Sequence, residues 1–318
     1  MENLLLPVKA ILPIVLLVSL GYFLKRLKLL GPQTLSAMNK VSFNAFIPCM
    51  VFYNLYSADA SQAFNGPVIL YAAVTITATF ILLLVFVPFF VKDNTRRSVM
   101  VQGIARSNIL LMGVPVVAQV CGQLGFTSAA SLGLITLLVA VIAPINNVFA
   151  VIAFGMFSGE PVKAGRMLLN IIRNPLIIAS AAGILMLVLG IRPPDVLDEF
   201  IGSVAGIATP LALILLGGFF DFKTVGNCAR PLVAAVVGKL VVIPAVMVTG
   251  AVLLGFRGLA LISLLPVYCA PTAVVSFTMA EQMGGDCTLA GHIVVFSTAA
   301  SAVTLVGWIF LMRSLGLF

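Results

Sequence analysis

Charge is what this sequence has least of. Of its 318 residues only 9% are charged, and Asp and Glu together number 10. A soluble domain carries about 25% charged residues because its surface faces water, so most of this surface must face something else. The sequence also lacks the usual catalytic signatures. No Gly-rich loop ending in Lys-Ser/Thr cradles a nucleotide, and there is no H-E-x-x-H, paired-aspartate motif or nucleophile elbow. ATP hydrolysis and intramembrane catalysis have no residues to carry them, and neither an enzyme nor a cofactor is expected. The five cysteines, at 49, 121, 228, 269 and 287, show no CxxC spacing. They read as small apolar fillers rather than a metal site or disulfide framework.

What fills the chain instead is apolar: 61% of residues are hydrophobic and the mean hydropathy is +1.19. Apolar runs of about 20 residues, the length a helix needs to cross the hydrocarbon core, recur throughout. A spanning segment must satisfy its backbone internally, and runs this long without alternation mean helices rather than a barrel. The fold class is therefore all-α integral membrane. The spans fall at 4–24, 35–57, 66–91, 98–121, 127–157, 173–190, 197–219, 231–255, 258–282 and 287–312. Glu2 spoils a basic leader and Lys25-Arg26-Lys28 reads as a stop-transfer cluster, so the first helix is expected to stay.

The net charge of +8 marks topology, not nucleic-acid binding. Alternate connections hold Lys25, Arg26, Lys28 and Lys40; Lys92, Arg96 and Arg97; Lys163, Arg166 and Arg173; then Lys223 and Arg230. The opposite set holds Arg192, Arg257 and Arg313. This positive-inside bias predicts ten spans with both termini outside. The longest polar connection divides the chain into a five-helix repeat at 1–157, a cytoplasmic connector at 158–172 and a second five-helix repeat at 173–318.

Prolines mark where the repeats resemble each other. Pro48 in the second span and Pro210 in the seventh interrupt apolar helices, as do Pro115, after Gly113, in the fourth and Pro271, after Pro266, in the ninth. Pro48 precedes Pro115 by 67 residues and Pro210 precedes Pro271 by 61. Five helices is an odd number, so the second copy enters the membrane upside down, an inverted repeat of the kind many secondary transporters use. Broken helices in lipid are tolerated where they line a wet cavity. Half-helices beginning near Pro115 and Pro271 would aim unpaired N–H groups and positive dipole ends at an anion, particularly a carboxylate.

Polar residues gather near these breaks: Arg106, Ser107 and Asn108 in the fourth span, Thr272, Ser276 and Thr278 in the ninth, Asn44 before Pro48, and Asn146-Asn147 after Pro144. An amide donates to a carboxylate without the cost of burying a full charge; equally, a lone Asn, Ser or Thr serves as an interhelical hydrogen bond. Ionisable residues at depth are Lys9, Arg106 and Lys239, with Glu281 and Asp221 near span ends and His292 the single histidine. Lys239 either attracts an anion or snorkels to the interface. Glu281 and Asp221 also read as solvated caps, and His292 as a packing residue. The candidate binding residues are Asn108, Gly113, Pro115, Asn147, Pro271, Thr272 and Lys239. The expected substrate is a small organic anion, and the lipid bilayer is the other partner.

The chain resembles the auxin efflux carrier family, whose plant branch is the PIN-type carriers, in a compact bacterial form. The resemblance spans essentially the whole chain and rests on six pieces in order. These are Asn39–Pro48 (NKVSFNAFIP), Asn108–Pro115 (NILLMGVP), Arg173-Asn174-Pro175, Lys239–Pro244 (KLVVIP), Pro266–Pro271 (PVYCAP) and Ala280–Gly285 (AEQMGG). It implies ten helices in two inverted repeats, with helices 4 and 9 broken and crossing at the binding site. It also implies helices 1, 2, 6 and 7 as a scaffold beside which the others move elevator-fashion, and a homodimer. Asn108, Pro115 and Pro271 would then belong to the crossover, and Lys239 would match a basic position in the eighth helix. The long loop of the plant carriers is missing here, and relatives of this compact form handle malate, malonate or other small carboxylates as often as auxin. An uncoupled efflux carrier is the first reading. A sodium- or proton-coupled symporter of the bile-acid-carrier type is the second, with Glu281, Gln282 and Asn108 as sodium ligands. A membrane sensor or assembly subunit without transport is the third.

Overall fold

The structure is a computed structural model describing residues 2–58, 65–126, 128–159 and 164–318; Lys163, and the side chains of Lys9 and Arg166, lie outside it. The described residues are helical, joined by short turns, with one isolated bridge and no strand. In chain order the helices are α1 (Glu2–Arg26), α2 (Pro32–Val41), α3 (Ile47–Tyr56), α4 (Gly66–Phe90), α5 (Asn94–Ala105), α6 (Val114–Gln123) and α7 (Ser128–Met156). There follow α8 (Ala164–Arg173), α9 (Pro175–Leu189), α10 (Asp195–Phe219), α11 (Ala229–Val237), α12 (Ile243–Leu253), α13 (Gly258–Cys269), α14 (Val275–Gln282) and α15 (Cys287–Ser314).

Among the described residues, five helical stretches are long and apolar enough to cross a bilayer. They are Gly66–Phe90, Leu132–Met156, Asp195–Phe219, Phe222–Leu253 and Cys287–Ser314. Along α4 the side chains of Leu70, Leu82, Phe86 and Phe89 stand exposed, as expected of a surface facing acyl chains rather than water. The chain is a multi-pass membrane protein. The connector expected at 158–172 is partly helical: α8 begins at Ala164 and meets α9 at a 59° bend. Asn174 sits at that bend and caps α9, its Oδ1 accepting from Leu176 N–H at 2.9 Å. Leu168, Leu169 and Ile172 are exposed on α8, the pattern of a helix lying in the membrane interface.

Helix α1 runs along α10, and α3 packs between α9 and α10. The α1–α10 crossing is close because it is glycine on both sides. A Cβ on Gly21 would lie 1.9 Å from Ile214 O, and one on Gly217 would lie 1.9 Å from Val18 O. Small residues of this kind let backbones approach in a membrane, where van der Waals packing replaces the hydrophobic drive. These four segments form one group; α4, α5, α7 and α11–α15 pack around the other.

Three of the four prolines expected to break helices do not. Pro210 lies inside an unbroken α10, and Pro48 and Pro115 follow helix without a gap. Three prolines share one device. Five-residue π-helical segments at Ser42–Phe46, Ile109–Gly113 and Gly238–Val242 each run directly into Ile47-Pro48, Val114-Pro115 and Ile243-Pro244. In each, the N–H of the residue before proline bonds five residues back, to Ser42, Ile109 or Gly238. Proline has no N–H to give and its ring collides with the carbonyl four residues back. Widening the turn by one residue moves that carbonyl aside and keeps the helix whole. The interruptions lie after α5, at Arg106–Asn108, and after α13, at Ala270–Val274; the second contains Pro271, where a break was expected.

Candidate functional site

The two interruptions meet. Ser107 and Thr272 form an antiparallel bridge. Asn108 N–H donates to Pro271 O at 2.8 Å, and Ala273 N–H donates to Arg106 O at 3.2 Å. Each break therefore satisfies peptide groups that the other has freed. A buried unpaired peptide group costs about 1–3 kcal/mol, so the pairing explains how two gaps survive in an apolar interior. Side chains complete the junction. Thr272 Oγ1 donates to Gly103 O at 2.7 Å, Ser297 Oγ accepts from Thr272 N–H at 3.1 Å, and Ser107 Oγ donates to Val267 O at 2.5 Å. Lys239, wholly buried, donates to Ser107 Oγ.

Beside the junction lies a cavity of about 290 Å³. Its polar lining is Arg106, Ser107, Asn108, Asn146 and Asn147, with Asn54 from α3 and Thr209 from α10; Met50, Leu55, Val139 and Ala212 supply apolar wall. Both half-helices start at this cavity, at Ile109–Leu111 and at Ala273–Val275. A helix leaves its first N–H groups without intrahelical partners. Among the described residues those of Leu110, Leu111, Val274 and Val275 find no backbone acceptor outside their own helices.

Arg106 is the charge at this site. It is 6% exposed; its Nη2 donates to Asn147 Oδ1 at 2.8 Å and its Nη1 lies 3.0 Å from Met279 Sδ. Asn147 is braced in turn, Nδ2 donating to Ser180 Oγ at 3.2 Å and Ser180 donating to Leu176 O at 2.7 Å. The ion pairs among the described residues all belong to Arg96, with Asp93 and Asp286. Among the described residues Arg106 and Lys239 are thus buried basic side chains with no carboxylate within 4.0 Å. A buried charge is ordinarily paired, and Arg106 instead lines the cavity.

The candidate residues divide into three groups. Asn108 and Asn147 line the cavity. Pro271 and Thr272 form the opposite strand of the bridge, and Lys239 stands behind it with Ser107 between it and the cavity. Gly113 and Pro115 lie farther along the half-helix, outside the lining, where a Cβ on Gly113 would meet Pro266 Cβ at 2.4 Å. The half-helix starts at Ile109 and not near Pro115, because the π-turn absorbs the proline. The sequence reading noticed Arg106 but left it out of the binding set, although its depth and lack of a nearby acid were both visible. Ser297, Thr209 and Asn54 carried no signal; only the packing of distant segments brings them in.

Comparison with known proteins agrees with a carrier. An uncharacterized transporter of Methanothermobacter thermautotrophicus is 25% identical over 303 residues, covering 94% of this chain and 96% of its own. A Rhizobium meliloti protein provisionally named a malonate transporter is 25% identical over 314 residues, covering 96% of this chain and 95% of its own. The family model described as membrane transport protein matches residues 7–164 and 162–309. With matches running nearly end to end, the chain belongs to the membrane transport protein family, that of the auxin efflux carriers.

Proposed function

We propose that this protein is a secondary carrier of a small organic anion, a mono- or dicarboxylate, which binds at the junction of the two interrupted helices. The observation that carries the proposal is the buried Arg106 guanidinium, which has no acidic partner among the described residues and lines a cavity where two half-helices begin. A guanidinium is suited to a carboxylate because its planar donors match both oxygens. The cavity's mixed wall suits a short carbon chain. Malonate, in the name of one relative, is a fitting first substrate to test.

In this reading the chain crosses the membrane ten times as two inverted five-helix repeats. The fourth crossing is α5 with α6 and the ninth is α13 with α14. Support comes from the parity of the loop charges and from one interruption in the fourth crossing of each half. The group formed by α1, α3, α9 and α10 acts as the scaffold, and the crossover slides beside it, opening the cavity to each side in turn. An anion moving alone is driven out of an inside-negative cell by about 2.3 kcal/mol per charge per 100 mV, so efflux is the natural direction.

The test is a thermal-shift screen of purified protein against mono- and dicarboxylates and indole-3-acetate. A saturable rise in melting temperature with one carboxylate class, lost in Arg106→Gln, supports the reading. No stabilisation by any acid, or equal stabilisation of the variant, contradicts it. Flux that requires a sodium gradient would make the carrier a symporter.

A further inference from the structure

Away from the cavity, where α14 meets α2, a second polar set is left incomplete. Glu281 on α14 is half-buried; its Oε1 accepts from Ser36 Oγ at 2.8 Å and its Oε2 accepts from Asn39 Nδ2 at 2.6 Å. Asn39 Nδ2 also lies 3.3 Å from Thr278 O, and Gln282 Nε2 donates to Glu281 Oε2. No lysine, arginine or histidine among the described residues reaches this carboxylate within 4.0 Å. Three oxygens of the neighbourhood are buried without any partner: Asn39 Oδ1, Ser42 Oγ and Thr278 Oγ1. Asn39, Ser42 and Thr278 are each 0% exposed. Ser42 stands one turn beyond Asn39, and Thr278 one turn before Glu281, so the four side chains belong to two facing helix surfaces.

We propose that this seam is a binding site for a monovalent cation, with sodium the ion its donors fit. Turning the Asn39 amide by half a revolution exchanges its nitrogen and oxygen. Oδ1 would then face Glu281 Oε2 and Thr278 O, at the spacings that Nδ2 now keeps from them. Three oxygens so placed repel one another unless a cation sits among them, and Ser42 and Thr278, one turn away on the same two helix surfaces, carry further buried oxygens without a partner. All donors are oxygen, which selects a hard cation over a soft one. The single carboxylate balances one positive charge, not two. Ser36 is exposed and Glu281 half-exposed, giving a hydrated ion a way in. Because the donors come from α14 and from α2, which runs through Ser42–Phe46 into the scaffold helix α3, an occupied site ties the crossover to the scaffold and holds this arrangement closed. The site is independent of the anion cavity: nothing in it requires Arg106 to bind anything.

The experiment uses purified full-length protein in detergent without any organic acid, so its outcome does not depend on the carrier reading. Melting temperature is followed against NaCl, KCl and choline chloride at constant ionic strength, with radioactive sodium binding in parallel. The expected result is a saturable, sodium-selective rise with matching sodium uptake. Half-saturation should be at least tenfold higher in Glu281→Gln and several-fold higher in Ser42→Ala, which removes only a hydroxyl. Size-exclusion profiles identical to wild type establish that both variants are folded. A rise no larger than with choline, an unchanged half-saturation in both variants, or stabilisation by acid but not by sodium would overturn the site.

Discussion

At the scale of single residues, Arg106 and Asn147 carry the account. The guanidinium is fixed by one amide and one thioether, and Arg106 lines the cavity. Charge-assisted hydrogen bonds are worth about 1.5–3 kcal/mol, so Arg106→Gln should weaken carboxylate binding by about 10- to 150-fold at about 1.4 kcal/mol per tenfold. Calorimetric titration of the purified variant checks this. Asn147→Ala removes the neutral brace but keeps the charge. It should raise KM for flux by about tenfold, the effect of about 1.4 kcal/mol, and an unchanged KM would remove Asn147 from the site. Lys239→Ala tests a different role. Lys239 contacts Ser107 and not the cavity, so its loss should lower melting temperature more than substrate affinity. These residues were partly legible in the sequence. Charge at depth is visible in any hydrophobic run, and Arg106, Lys239 and Asn147 all stood out. Which of them reaches the cavity was not, because that depends on the direction each helix turns after its break.

At the scale of elements, proline marks only one of the two gaps, at Pro271, and the junction makes the other. Pro48, Pro115 and Pro244 each follow a π-turn inside continuous helix, while the interruption at Arg106–Asn108 contains no proline. Sequence reading finds proline easily and expects a break there, but one extra residue in the preceding turn relieves the clash. The gap itself is held by pairing with a segment more than 150 residues away, which leaves no local mark. Pro115→Ala should therefore leave flux within about threefold of wild type, since the turn absorbing it is already formed and the gap lies upstream. Gly113→Ala should do worse. Its Cβ would press on Pro266 at 2.4 Å, and overpacking of this kind costs about 1–3 kcal/mol, read as a lower melting temperature in detergent. Equal melting of Gly113→Ala and wild type would mean the α13 contact is looser than described.

At the scale of the whole molecule, composition alone identified an all-helical membrane protein, because so little charge leaves no other solvent for the surface. Loop charges and the odd number of helices per half pointed to an inverted repeat, and the helices interrupted near 107 and 272 are paired in space. Membership of the membrane transport protein family agrees with a multi-pass membrane transporter. The central claim is that Arg106 receives a small carboxylate and that the protein moves it as a charge. The most direct measurement is flux of radiolabelled malonate from proteoliposomes under a potassium-diffusion potential, for wild type and Arg106→Gln. The account predicts saturable flux in wild type, driven outward by a potential negative inside and reversed when its sign is reversed, and near-background flux in the variant. Potential-dependent malonate flux of equal rate in wild type and in Arg106→Gln would contradict it.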